Sequence, residues 1–563
     1  MQQSIDARYR HGQRVRECVL DLTGELASES TVIEGQGYMV QHGYDVHGRR
    51  TLTTYPGGVE VSYGYDTASR VNTLQAKVGG TWRNGATGVT CDAAGRMTAL
   101  SHGNGIDRRV SYDWDGRVQG IAGSLSPQNL GYAWNAADQI TGITNHAYPS
   151  LSQTFGYDAL SRLTGVTSTS GNHVIGYDAN GNRTSHTWGG ATDSYSVSST
   201  GNRLNAVSAA GTRARSYTHD AAGHRTAETI AGNTISYVYD GFGRPASRSQ
   251  PAMSIQQSHG ATVALPAGTW SYGHDGLGRR TFKRAPGNVV SRYLYGAEGT
   301  LQAETSPGGT SLTSIYLWLN GQPIGLVRGG QVYQVHADHL GRPEMLTNSS
   351  KAIVWRAENL AFDRKVATSS IGEYNLGFPG QYYDAEGASW QNWFRTYDGS
   401  IGRYTQSDPI GLAGGVNTYG YAIGNPTSNV DPTGLFVPIA VCVIQAGAGF
   451  VAADSVKAAA QDFGDAQDSL HQNDRCDQAG QTNQPLGDAA ATFANGSSSF
   501  AGQLAKMVTA GGVLAVTGSI KPTGMVTPCA GIGIGAGAFF GDGTVARAIT
   551  DAQLRAVDWM RGR

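Results

Sequence analysis

The sequence predicts a mostly β repeat protein that carries a separate, α-rich and apolar C-terminal tail. Three observations predict it. A short phrase of Tyr-Asp, small residues, then Gly-Arg or Ser-Arg recurs through the first two thirds of the 563 residues. Runs that alternate with a period of two, rich in Thr, Val and Tyr, lie between those phrases. All 27 tyrosines precede Leu435; residues 436–563 hold no Tyr, no Glu and one His, His471.

The phrase reads Tyr44-Asp45 to Gly48-Arg49, Tyr65-Asp66 to Ser69-Arg70, Tyr157-Asp158 to Ser161-Arg162, Tyr177-Asp178 to Asn182-Arg183 and Tyr239-Asp240 to Gly243-Arg244. Looser copies run from Asp92 to Arg96, Asp115 to Arg117, Asp220 to Arg225 and Asp275 to Arg279. The residues Asp45, Asp66, Asp92, Asp115, Asp138, Asp158, Asp178, Asp220 and Asp240 are spaced by 21, 26, 23, 23, 20, 20, 42 and 20. The 42 is two periods of 21, which predicts one degenerate copy between Asp178 and Asp220. A fixed period of this size marks a repeat architecture.

Runs such as Thr51 to Tyr55, Thr234 to Tyr239 and Arg292 to Tyr295 read as half-buried strands bounded by Gly, Asn and Asp. Asp178 to Asn182 and Asp240 to Gly243 supply residues that tolerate positive φ in tight turns. Each period therefore predicts two strands of about five residues and two turns. One hairpin cannot bury its apolar face alone, whereas a stack of them can. The Tyr is expected to cover the neighbouring repeat, and the Arg to bond a carboxylate or main-chain carbonyls. The repeated Asp and Arg are read as structural.

Charge excludes some functions. Forty-two basic residues balance 43 acidic ones for a net charge of -1, so nothing draws the repeats to nucleic acid or to an anionic membrane surface. Cys18, Cys91, Cys442, Cys476 and Cys529 are scattered without CxxC spacing, which predicts neither a disulfide framework nor a zinc site. No cofactor is expected. Residues 1–13 are polar and lack the apolar core of a secretory signal, so export would use another route. The repeats are already running by Gly43, which leaves room for a missing upstream part.

Two similar phrases stand 23 residues apart, Asp408-Pro409-Ile410-Gly411-Leu412 and Asp431-Pro432-Thr433-Gly434-Leu435. One reading is a pair of type I turns with no chemistry. The other brings two carboxyls into a shielded site, where one holds a proton and the other activates water. A nearby guanidinium would fix a carboxylate or polarise a carbonyl. His336, Asp338 and His339 are read as structural rather than as metal ligands, because positions i and i+3 of a strand face opposite ways. Trp390, Trp393 and Phe394 are read as core packing.

The repeated phrase resembles the YD, or RHS, repeat. Tyr333 to Pro343 is similar to the most specific repeat of that family, and the stretch from Phe378 to Leu435 resembles the RHS-repeat-associated core domain. The resemblance covers about residues 40 to 435. It implies three parts: a β-shell of repeats over 1–345, a core domain that plugs it over 346–435, and a variable effector or toxin-like tail over 436–563. It further implies hairpins spiralling into a hollow shell that encapsulates the tail and delivers it in bacterial competition. Implied partners are the chain's own tail, a secretion-apparatus protein and a cognate immunity protein. The implied location is the bacterial cytoplasm before export, then secreted or at the cell surface. Self-cleaving members use an Arg and two Asp in an aspartyl-peptidase-like group, which falls here on Arg395, Asp408 and Asp431, with the cut between Leu435 and Phe436. Gly399 and Gly377 depart from the family pattern in ways expected to loosen the plug. The alternative is a non-enzymatic surface or adhesion protein whose repeats bind carbohydrate or a protein partner.

In the tail, Phe436 to Ala453, Met507 to Ile520 and Gly524 to Gly541 carry no charge and approach membrane-spanning length. Pro438, Pro522, Pro528 and the high Gly content weaken that reading. The tail is read as a membrane-acting toxin, an enzyme toxin or an inactive remnant. Its lack of Glu and Tyr leaves little for nuclease or deaminase chemistry.

Overall fold

A computed structural model describes residues 4–5, 16–21, 24–257, 260–296 and 299–435. The expectations placed on Phe436 and the rest of the tail lie outside the described residues. The described chain is dominated by one antiparallel sheet of 33 strands, running from Ser4–Ile5 to Arg364–Ser369. Each strand pairs with its neighbours in sequence, so the sheet is a continuous ribbon of hairpins. One hairpin stands apart: Met253–Gln256 pairs with Thr262–Leu265, while the flanking strands Pro245–Gln250 and Gly268–His274 pair with each other. The last two ladder strands, Ile353–Asn359 and Arg364–Ser369, fall inside the segment 346–435.

The repeated phrase builds one kind of turn. Asp45 Oδ1 accepts the N–H groups of His47 (2.9 Å) and Arg49 (3.0 Å), and Asp45 Oδ2 pairs with Arg49 Nη2 at 2.6 Å. The carboxylate thus satisfies turn donors that no strand partner can reach. The same pattern recurs from Asp66 to Arg70, Asp158 to Arg162 and Asp240 to Arg244. Gly48, Gly95, Gly116 and Gly243 take positive φ between 72° and 84° just before the Arg.

Ser161 fills that position at φ 62° and is exposed. An L-residue there is strained by about 1 kcal/mol. Ser161→Gly is therefore expected to raise the denaturant midpoint; an unchanged or lower midpoint would contradict this account of the turn.

A β-bulge precedes each turn, with register shifts at Tyr44, Tyr65, Tyr157, Tyr177 and Tyr239. The bulge re-aims the tyrosine along the ribbon. Tyr65, Tyr177 and Tyr239 donate through their hydroxyls to the carbonyls of Arg50 (2.7 Å), Leu163 (3.0 Å) and Arg225 (2.8 Å) in the preceding repeat. The preceding repeat's arginine lies over the ring, Arg49 on Tyr65 at 4.6 Å and Arg162 on Tyr177 at 4.8 Å. Tyr, Asp and Arg therefore form one chain of contacts that links each repeat to the next.

The frame differs from the sequence expectation in the middle. Asp113 and Asn135 open their turns, bonding to the carbonyls of Arg117 (2.9 Å) and Gln139 (3.0 Å). Asp115 and Asp138 sit inside those turns, and Asp138 instead accepts Arg117 Nη1 at 2.6 Å. The degenerate copy is the turn from Ser198 to Arg203, closed by a 2.8 Å main-chain bond.

The ribbon folds back on itself. Ile33, Val61, Leu74 and Leu100 share one apolar cluster with Leu294, Ile315, Leu317 and Val327. Tyr38 donates to the Thr310 carbonyl (2.8 Å), and Gln128 Nε2 donates to Glu344 Oε2 (2.6 Å) across the same seam. The segment after the ladder packs on the middle repeats: Phe362 joins Ile121 and Ile140, Ile401 joins Leu204 and Val207, and Ala388 joins Ile230 and Ile235. A second sheet of four short strands, Gln381–Asp384, Ser389–Asn392, Arg395–Asp398 and Arg403–Tyr404, carries this segment. Cys91 is a free thiol.

Candidate active site

The four-stranded sheet places Arg395 at the start of its third strand and Tyr404 on its fourth. Both predicted turns form. Asp408 accepts the Gly411 N–H on its carbonyl (2.9 Å) and the Ile410 N–H on Oδ1 (3.0 Å). Asp431 Oδ1 accepts the N–H groups of Gly434 (2.9 Å) and Leu435 (3.1 Å). The turn reading and the two-carboxyl reading are not rivals, because the same carboxyls also converge. Arg395 Nη2 lies 3.0 Å from Asp408 Oδ2 and 3.1 Å from Asp431 Oδ2, and all three side chains are 2% exposed.

A second ring of contacts fixes this trio. Tyr404 donates its hydroxyl to Asp431 Oδ2 (2.8 Å), and its ring lies 3.7 Å beneath the Arg395 guanidinium. Asn392 Nδ2 donates to the Tyr404 hydroxyl oxygen (2.7 Å) and to the Asp431 carbonyl (2.9 Å). Arg395 also donates through Nε to the Gly434 carbonyl and through Nη1 to the Thr418 carbonyl (3.2 Å). The turn that ends in Leu435 is therefore gripped at the main chain of Asp431, Gly434 and Leu435. A Cβ built on Gly414 would run into Asp408 Oδ2 and lie 2.7 Å from the Leu435 carbonyl oxygen, so both oxygens line the bare face of Gly414.

Burial pushes the Asp408 carboxyl up to about 7, against the pull of Arg395. Burial raises Asp431 as well, opposed by Arg395, the Tyr404 hydroxyl and the Leu435 and Gly434 N–H groups. A buried acid whose neutral form is favoured on folding takes up a proton. The Asp408 contribution is therefore fully present below its unfolded value near 4 and is lost as pH rises through about 7.

Sequence reasoning named Arg395, Asp408, Asp431 and Leu435, and the structure brings them together; Phe436 lies outside the described residues. It missed Tyr404, Asn392 and Gly414. Asn392 opens the phrase that holds Arg395 but was given no role, Tyr404 and Gly414 sit in no signalled phrase, and only the folded sheet brings the three to the carboxyls.

The other singled-out residues serve packing. His336 shares a bond with Thr347 Oγ1 (3.0 Å) and packs on His102, whereas His339 bonds the Thr427 carbonyl (2.8 Å). Asp338 caps a repeat turn, accepting the N–H groups of Leu340 and Arg342 at 2.9 Å each. Trp390 Nε1 donates to Asp363 Oδ1 (3.1 Å), and Trp393 Nε1 donates to the Leu277 carbonyl (2.8 Å) in the ladder. Gly399 and Gly377 are closely packed: a Cβ would strike the Asp363 carboxyl at the first and the Trp390 ring at the second.

The Teneurin YD-shell family matches residues 149–414. The toxin protein Tse5 of Pseudomonas aeruginosa is 38% identical over 106 residues, which is 19% of this chain and 8% of Tse5. The probable deoxyribonuclease RhsB of Dickeya dadantii is 26% identical over 409 residues, 68% of this chain and 26% of RhsB. A solved structure of TcdB2-TccC3 superposes with a TM-score of 0.62 at 20% identity, covering 75% of this chain and 24% of that one. The chain is an RHS/YD-repeat protein. As such, its 33-stranded ribbon has the fold of the toxin-complex β-shell. This RHS/YD-repeat chain spans about a quarter or less of the length of each of these three relatives.

Proposed function

We propose that this chain is the closing end of a β-shell that encloses residues 436–563 and releases them by cutting between Leu435 and Phe436. The observation that carries the reading is the buried trio of Arg395, Asp408 and Asp431, whose hydrogen bonds hold the main chain of Gly434 and Leu435. In this reading 1–345 is the repeat wall, 346–435 the plug and 436–563 the cargo. The described repeats are packed against each other and against the plug. The names of toxin protein Tse5 and probable deoxyribonuclease RhsB support a toxin as the cargo. Delivery, with a secretion-apparatus protein and an immunity protein as partners, is the purpose that goes with such a cargo in this reading. The chemistry needs no cofactor.

Limited proteolysis of the full-length protein tests the enclosure. Residues 436–563 are expected to resist a protease that digests them once the shell is unfolded by denaturant. Digestion of the tail at the same rate in both states would sink the reading.

A further inference from the structure

Two histidines meet where the returning ribbon closes on its own beginning. His102 ends the strand Met97–His102, His336 lies on Gln331–Ala337, and their ring centroids are 4.4 Å apart. The contact around them is tight. Asn104 Nδ2 donates to Thr347 Oγ1 and to the Asn348 carbonyl at 2.9 Å each, and Gln334 Nε2 donates to the Asn84 carbonyl at 3.4 Å. His102 is 2% exposed and His336 1%. Thr347 bonds one nitrogen of His336, and the other is buried without a partner. Gln334 stands by His102, yet neither ring nitrogen of His102 has a partner in hydrogen-bond geometry, and Gln334 Oε1 has none either. A neutral imidazole always carries one N–H, so His102 keeps a buried donor unsatisfied, at a cost in stability.

Among the described residues, no carboxylate pairs with either ring. The charged and titratable groups that face the pair are the two histidines themselves and Arg108, from the strand Asp107–Tyr112. The Arg108 guanidinium is buried and donates to Gln128 Oε1 (2.8 Å) and to the Ala337 carbonyl (2.6 Å). Tyr132, Asp338, Glu344 and Tyr112 act on Arg108 rather than on the rings. Burial and Arg108 push His102 down to about 3, and burial, His102 and Arg108 push His336 well below the usual range.

We infer that this histidine pair is an acid-sensitive seam, closed only while both rings are neutral, and that mild acid parts residues 102–106 from residues 334–348. His102 pairs in the ladder with Ala86 and His336 with Met345, so separating the two rings breaks no strand pair. Once the seam is open, both rings reach water and titrate near about 6.5. A ring that takes its proton only in the open state leaves the seam fully stable above about 6.5 and drains that stability as pH falls toward about 3 for His102. Well below about 6.5 each ring favours opening by about tenfold per pH unit, and the pair by about 100-fold. An acidified compartment therefore loosens the wall first where its early and late repeats meet.

Hydrogen exchange of the full-length protein, corrected for intrinsic rates, tests the seam in peptides covering 97–106. There the N–H groups of His102 and Gly103 bond the carbonyls of Ile106 (2.8 Å) and Gly85 (3.1 Å). Between about pH 6 and about pH 5 the wild type is expected to lose protection by about 60-fold, and His102→Gln or His336→Gln by about eightfold each. The double variant is expected to stay flat over the same interval. Melting at about pH 8, where histidine is neutral whether the seam is open or closed, checks that the variants fold. Should the double variant fail to fold, the single variants carry the same comparison. Unchanged wild-type protection across the interval, or variants that lose as much as wild type, would overturn the proposal.

Discussion

Replacing Arg395 by methionine is expected to abolish release of residues 436–563 while leaving the repeat ladder folded. The guanidinium sits between Asp408 and Asp431 at 3.0 and 3.1 Å and donates to the carbonyls of Gly434 and Thr418. Without it two buried carboxyls face each other with no cation, and each is driven further toward its neutral form. A protonated Asp408 cannot take a proton from water. Losing a preorganised charge of this kind costs about 100- to 1,000-fold in rate, before the lost grip on Gly434 is counted. Arg395→Lys is not expected to rescue, because a single ammonium cannot reproduce the fork that reaches two carboxylates and two carbonyls. Cleavage of the translated chain, followed on gels, checks both variants; cutting by Arg395→Met at the wild-type rate would remove Arg395 from the chemistry.

The second large effect concerns how the plug is tied to the wall. Asp398 Oδ2 lies 3.2 Å from Arg225 Nη1 and 3.7 Å from Arg215 Nη1, and all three side chains are under 10% exposed. Despite burial, which opposes ionisation, Arg215 and Arg225 hold Asp398 below the usual carboxylate range. Asp398→Ala leaves two buried guanidinium groups sharing Glu228 as their remaining anion. Removing one partner of a buried pair costs about 3–5 kcal/mol. The expected result is faster hydrogen exchange and protease attack across 381–435, with the ladder over 26–250 unchanged. Equal protection in mutant and wild type would show that apolar packing alone seats the plug. The sign with pH is also set. A depressed carboxyl adds stability above its unfolded value, and that stability is lost as pH falls through the folded one. Acid therefore loosens this joint, while the Asp408 contribution moves the other way.

The repeats were legible because their physics is local. An Asp that caps its own turn and an Arg four residues later need no distant partner, so the phrase alone predicts the geometry seen at Asp45 and Arg49. The frame slipped where local signals compete. In Asp113 to Arg117 two aspartates are available and the first caps the turn, while Asn135 performs the same task without a charge. The return of the early strands onto Leu294 to Val327 was not legible, since it depends on pairing residues over 200 positions apart. The trio of Arg395, Asp408 and Asp431 came from family resemblance; spacing alone favoured two inert turns. Tyr404 and Gly414 had no signal and Asn392 had a phrase but no role, because their roles exist only once the small sheet has formed.

The central claim is that the chain is cut by its own buried carboxyls at the end of the plug. Intact mass spectrometry of natively purified protein, beside Asp408→Asn prepared in parallel, tests it most directly. The account predicts two wild-type polypeptides, one ending at Leu435 and one beginning at Phe436, and a single uncut chain for Asp408→Asn. A single wild-type chain, or the same two fragments from both proteins, would contradict it.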